Sequence, residues 1–156
     1  MKKIILTAIL ATFIASCQSD DSQPADGGNY TIPVGFTLIG DGELMENESI
    51  PASNLVIDNE TDWNALKTQL DLHNPHSQDL TETTIDFAEF KVIAVIDELR
   101  NYGVDDVSTV TVTQTNGQII VNSHHSDPDP GNAQIVLTQP FHIVKAPQSD
   151  LPVIFE

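Results

Sequence analysis

The chain has 156 residues, six basic against 23 acidic side chains, a net charge of −17 and a single cysteine. Such a surface excludes nucleic acid, whose phosphates need clustered lysine and arginine, and it disfavours anionic lipid head groups. One cysteine excludes an internal disulfide framework, and the length is that of one domain.

In chain order, Lys2 and Lys3 give a short positive start, and Ile4 to Phe13 is an apolar run of signal-peptide length. That run is too short to span a hydrocarbon core of ~30 Å. It closes with Ile14-Ala15-Ser16-Cys17, small residues standing before the cysteine because a peptidase cleft admits only small side chains there. The arrangement resembles the lipobox of bacterial lipoproteins, which implies that residues 1–16 are a signal peptide. On that resemblance Cys17 is acylated, becomes the mature N-terminus and anchors the protein. An acylated Cys17 offers no thiol for catalysis or metal binding. Without Lys2 and Lys3, four cations face 23 carboxylates, a net charge of −19. Gln18 to Gln23 is acidic. It is similar to signals that send some Gram-negative lipoproteins to the outer face of the outer membrane, or it is a solvated linker.

Residues 17–29 are poor in apolar side chains and read as a flexible tether, leaving 30–156 as one domain. Phe36-Thr37-Leu38-Ile39 reads as a first strand, ended by the turn signal Gly40-Asp41-Gly42. Leu55-Val56-Ile57 reads as a second. Asn59 to Leu70 reads as the one helix, capped by Asn59 with Asp62 at the third helical position, and Glu60 and Asp62 suit its positive end. Trp63, Leu66 and Leu70 form its apolar stripe, which places Trp63 in the core rather than in a ligand site.

The remainder reads as strands. Phe90 to Leu99 is a buried strand with an apolar run from Val92 to Ile96. Val110 and Val112 alternate with threonines, Asn116-Gly117 supplies the positive φ angles of a type I′ turn, and Ile119-Ile120-Val121 returns as a hairpin. Ala133 to Thr138 and His142 to Lys145 read as strands interrupted at Pro140, which cannot donate to a central ladder. Val153-Ile154-Phe155 closes the chain. The predicted class is α+β, a mostly antiparallel β-sheet with one packed α-helix.

Several of these residues together resemble the C-terminal domain of the PrcB family, non-catalytic subunits of bacterial surface protease complexes. They are Val56 to Trp63, with its apolar pair, capping residue and tryptophan; Thr84-Ile85-Asp86-Phe87; Lys91 to Val95; and Thr138 to Pro147, with its proline–aromatic and Ile143-Val144 steps. The resemblance covers about residues 55–156. Where family members carry a glycine-rich segment after the central strand, this chain has Asp97 to Val104 and only Gly103. The resemblance implies no catalytic residues.

Other chemistries are weakly signalled. His73 and His76 are three apart, but Pro75 breaks any helix that would align them, and His124-His125 before Asp127 and Asp129 lacks a zinc motif. Asp127-Pro128-Asp129-Pro130-Gly131-Asn132 offers oxygen ligands without the order of an EF-hand loop, leaving either a weak calcium site or a proline-stiffened loop. Ser123 and Ser126 flank histidines but have no nucleophile-elbow glycines around them. The chain is therefore expected to be a non-enzymatic lipoprotein without cofactor or metal. It would be lipid-anchored at Cys17 in the outer membrane and bind a protease or other surface protein. The alternatives are an extracytoplasmic ligand- or calcium-binding module and, behind it, a small hydrolase. Recognition is expected in two polar loops, through Arg100 and Tyr102 in one and Asp127 and Asp129 in the other. Loops carry binding more often than packed elements do, and Arg and Tyr are enriched at interface hot spots.

Overall fold

The structure is a computed structural model that describes residues 35–101, 109–124 and 137–156. Seven strands run in chain order as β1 (Thr37–Met45), β2 (Ser53–Ile57), β3 (Phe90–Ile96), β4 (Thr109–Thr115), β5 (Gln118–His124), β6 (Thr138–Pro147) and β7 (Val153–Phe155), with the helix α1 (Glu60–Leu70) between β2 and β3. A four-stranded sheet has the order β1-β6-β3-β2 and a three-stranded sheet the order β4-β5-β7. All pairings in the first sheet are antiparallel, whereas β7 joins β5 in parallel. The class is α+β, mostly antiparallel, as the patterning predicts.

The first sheet is the middle of three layers. Its Val92, Ala94, Ile96, Phe141 and Ile143 pack with Trp63, Leu66 and Leu70 of α1. The alternate residues Ile93, Val95, Val144 and Ala146 pack with Val110, Val112, Ile119 and Val121 of the second sheet. Burial on both faces explains the continuous apolar run of β3, because successive side chains alternate across a strand. Each valine, isoleucine, leucine or phenylalanine among them contributes about 1.5–3 kcal/mol when removed from water. The second-sheet core draws on β1, β3 and β6 but on no residue of β2.

Local signals explain the elements that form as expected. The Asn59 side chain accepts from the Asp62 N–H at 3.0 Å, and its amide donates to the Asp62 carboxylate at 2.8 Å. Trp63 is 1% exposed, with its indole N–H donating to the Thr83 carbonyl at 3.0 Å, so it is a core residue whose polar atom is satisfied. Asn116 and Gly117 carry φ angles of 50° and 76°, the left-handed pair that closes the β4–β5 hairpin.

Three boundaries differ from expectation. Gly40-Asp41-Gly42 is not a turn; β1 runs through it to Met45. A bulge falls between Leu38 and Gly40, and the Ile39 carbonyl accepts from Thr81 N–H at 2.9 Å. A Cβ on Gly40 would lie 2.1 Å from Leu80 Cδ2, so this glycine admits a neighbouring side chain. The buried strand stops at Ile96 rather than Leu99. Pro140 does not interrupt β6, although β6 is central. It sits opposite Asp97, one step beyond the end of β3, and its carbonyl accepts the Asp97 N–H at 3.0 Å. The Asp97 carbonyl that a ladder N–H at this position would serve takes the Gln139 side-chain amide instead, at 2.6 Å. Residues 133–136 of the expected strand 133–138 lie outside the described residues.

Candidate functional site

Four chain segments converge at one end of the first sheet: the end of β1, the start of β2, the end of β3 and the start of β6. Gln139, 1% exposed, ties them together. Its amide nitrogen donates to the carbonyls of Ile50 (2.8 Å) and Asp97 (2.6 Å), and its oxygen accepts the Ile50 N–H at 2.8 Å. Beyond β3 the chain is caught once more. Arg100 N–H donates to the Thr138 carbonyl at 3.0 Å, and Thr138 N–H donates back at 2.9 Å. This bridge fixes the backbone from which the Arg100 side chain projects.

The result is an open cleft of about 310 Å³, lined chiefly by Ser53, Asn54, Asp97, Glu98, Arg100 and Ser123. Arg100 donates to the Glu98 carboxylate at 3.1 Å, with the two side chains 45% and 72% exposed. A pair so exposed contributes at most about 1 kcal/mol to stability, so the guanidinium can exchange it for a partner's group at little cost. Glu98 N–H in turn donates to Asp97 Oδ1 at 2.8 Å. The cleft thus offers carboxylates, one guanidinium, hydroxyls and the side chain of Asn54, groups suited to hydrogen-bonding a polypeptide.

A second polar cluster borders the same end. Glu48 is buried and its Oε2 lies 3.1 Å from His76 Nε2 and 3.3 Å from the Met45 N–H, while Asn74 donates to Oε1. The Met45 N–H above all holds its carboxyl below the usual range, burial opposes this, and His76 and Asn74 lower it further. Beside it, Ser77 donates its hydroxyl to Asp71 Oδ2 at 2.6 Å and its N–H to Asp71 Oδ1 at 2.8 Å. The serine is bonded to Asp71 and the histidine to Glu48, so the two do not form a nucleophile–base pair. These carboxylates hold the segment 71–80 in place.

Of the residues singled out from the sequence, Arg100 lines the cleft, and Cys17, Tyr102, Asp127 and Asp129 lie outside the described residues. His76 meets Glu48, while His73, three residues earlier, is exposed. Among the described residues no three His, Cys, Asp or Glu side chains gather around a point where a metal ion could sit. Sequence reasoning missed Gln139 and the Glu48–His76 pair. The one available signal for Gln139 was an amide inside an apolar strand, next to a proline. Compared with known protein families, with curated proteins and with solved structures, the chain matches none.

Proposed function

We propose that this chain is a non-enzymatic interaction subunit, anchored at the outer membrane through an acylated Cys17, whose cleft at the Arg100 end of the first sheet receives a partner protein. The observation that carries the reading is the backbone bridge between Arg100 and Thr138, which anchors the stem of a half-exposed arginine at an open, polar cleft. Small-molecule sites are commonly apolar and enclosing, whereas Arg at the rim of a polar cleft suits a protein surface. The resemblance to the PrcB family makes a surface protease the first partner to look for.

Affinity purification from membranes, with mass spectrometry, tests this reading. The wild type is expected to bring down a defined partner, and Arg100→Ala to lower the yield about tenfold, equivalent to about 1.4 kcal/mol, at unchanged thermal stability. Cys17→Ala is expected to leave the membrane fraction. Undiminished capture by Arg100→Ala removes the cleft from the proposal, and a Cys17→Ala variant that stays with the membrane removes the anchor.

A further inference from the structure

The outer edge of β2 lies beside the cleft, and its ladder phase is fixed by two hydrogen bonds. Asp97 N–H donates to the Pro140 carbonyl and Gln148 N–H to the Glu89 carbonyl. In an antiparallel ladder a residue's N–H and C=O point the same way and alternate along the strand. The odd-numbered residues of β3 therefore bond to β6, and the even-numbered Val92, Ala94 and Ile96 turn toward β2. They stand opposite Ile57, Leu55 and Ser53. Those three are bonded inward, so Asn54 and Val56 direct their N–H and C=O groups out of the sheet. Among the described residues no strand pairs with that edge.

The side chains point to the same place. Leu55 and Ile57 pack with the helix side of the sheet, while Asn54 and Val56 are exposed on the other face and take no part in the second-sheet core. Val56 is 45% exposed. Natural edges are usually blunted by lysine, proline or a covering segment, and β2 contains neither lysine nor proline. Its surroundings are mostly acidic. Asp58 and Glu60 follow its end, Asp97 and Glu98 stand at its start, and the cation in the cleft, Arg100, is paired with Glu98.

We propose that the outer edge of β2 takes up an extended, basic segment of the partner protein as a fifth strand of the first sheet. This rests on the protein-interaction reading above and names the chemistry of the partner. The backbone groups of Asn54 and Val56 supply the hydrogen bonds, and the exposed Val56 side chain supplies an apolar contact for the incoming residue beside it. From Ser53 to Asp58 the strand rises roughly 17 Å, at ~3.3 Å per residue. The incoming segment therefore carries lysine or arginine near both ends and β-branched residues between. A second copy of this chain is disfavoured at the same edge, because two bodies of net charge −17 repel.

A fluorescein-labelled peptide with terminal lysines and alternating threonine and valine between them is the probe, read by anisotropy and by amide NMR shifts on the full chain. Binding is expected at low salt, with the largest shifts at Asn54 and Val56. Methylating alternate backbone nitrogens of the peptide should weaken binding about tenfold, and glutamate in place of the lysines should abolish it. Val56→Pro removes an outward N–H without touching the β3 ladder and should weaken binding as much, while Val56→Thr should bind. The methylated peptide keeps the test valid if Val56→Pro does not fold. Absent binding, full binding of the methylated peptide, or shifts confined to other strands would overturn the inference. So would a concentration-dependent dimer that Val56→Pro abolishes. A natural partner captured equally by wild type and Val56→Pro overturns the edge and leaves the interaction reading intact; no partner at all overturns that reading.

Discussion

Gln139 and Glu48 are polar side chains in places where an apolar residue would fill space more cheaply, and each is kept by the backbone groups it satisfies. Leaving a buried polar group unpaired costs about 1–3 kcal/mol, and Gln139 alone serves the Ile50 N–H and the carbonyls of Ile50 and Asp97. Glu48 does similar work for Met45, Asn74 and His76, and it titrates. Its folded pKa lies below the ordinary 4.5, chiefly through the Met45 N–H, so the charged form is the one that the fold favours. The resulting stabilisation is fully present above the unfolded value and is lost as pH falls through the folded one. Urea unfolding followed from about pH 6 to about pH 3 is therefore expected to show a loss of stability in acid that Glu48→Gln makes shallower. Identical acid slopes for the two proteins would show that Glu48 contributes nothing to it. At this scale Arg100 was singled out because its residue type is favoured at interfaces, and the structure puts it on the rim of a cleft. The cleft itself was not legible, since Ser53 and Ser123 lie far apart in the sequence and no local pattern connects them.

Elements form where local chemistry and tertiary packing agree, and the misread ones show where packing decides. The β4–β5 hairpin and α1 were legible because Asn116-Gly117 and the Asn59 cap act within a few residues. Gly40-Asp41-Gly42 has the composition of a turn, yet Gly40 is there for Leu80 and Gly42 for the Phe141 ring, which a Cβ would meet at 3.0 Å. Both contacts come from distant segments. Pro140 was misread for a related reason: the Gln139 side chain next to it takes over the bond to the distant Asp97 carbonyl that the proline cannot make. Gly40→Ala is expected to destabilise the fold by about 1–3 kcal/mol, the usual cost of forcing an extra carbon into a packed site. Leu80→Ala should relieve that clash, so the double variant should be less destabilised than the two single costs added together. Strict additivity in urea denaturation would mean that Leu80 moves aside freely and that Gly40 has another reason.

Across the whole molecule the charges are sorted as well as unbalanced. Four of the six lysine and arginine side chains, Lys67, Lys91, Arg100 and Lys145, lie within the described residues, and each is bonded internally. Lys67 donates to the Thr83 carbonyl at 2.8 Å and lies 5.4 Å from the Trp63 ring centroid. Lys91 is buried and donates to the Ser149 carbonyl, Lys145 meets Glu82 at 2.6 Å under the ring of Phe90, and Arg100 holds Glu98. The outward field is consequently negative, with few positive groups to interrupt it. Such a field steers a cationic partner toward the molecule and accelerates encounter at low ionic strength. Salt shortens its reach, from a Debye length of ~30 Å at 0.01 M to ~8 Å at 0.15 M. The association rate of the lysine-ended peptide, measured by stopped flow, should therefore fall about tenfold over that range, with a smaller change in the dissociation rate. Swapping exposed Asp58 and Glu60 for asparagine and glutamine should flatten the dependence, at a cost to the start of α1 of no more than about 1 kcal/mol for each charge. If the association rate is unmoved by salt, the acidity serves solubility alone, and the partner is recognised by shape and backbone pairing rather than by charge.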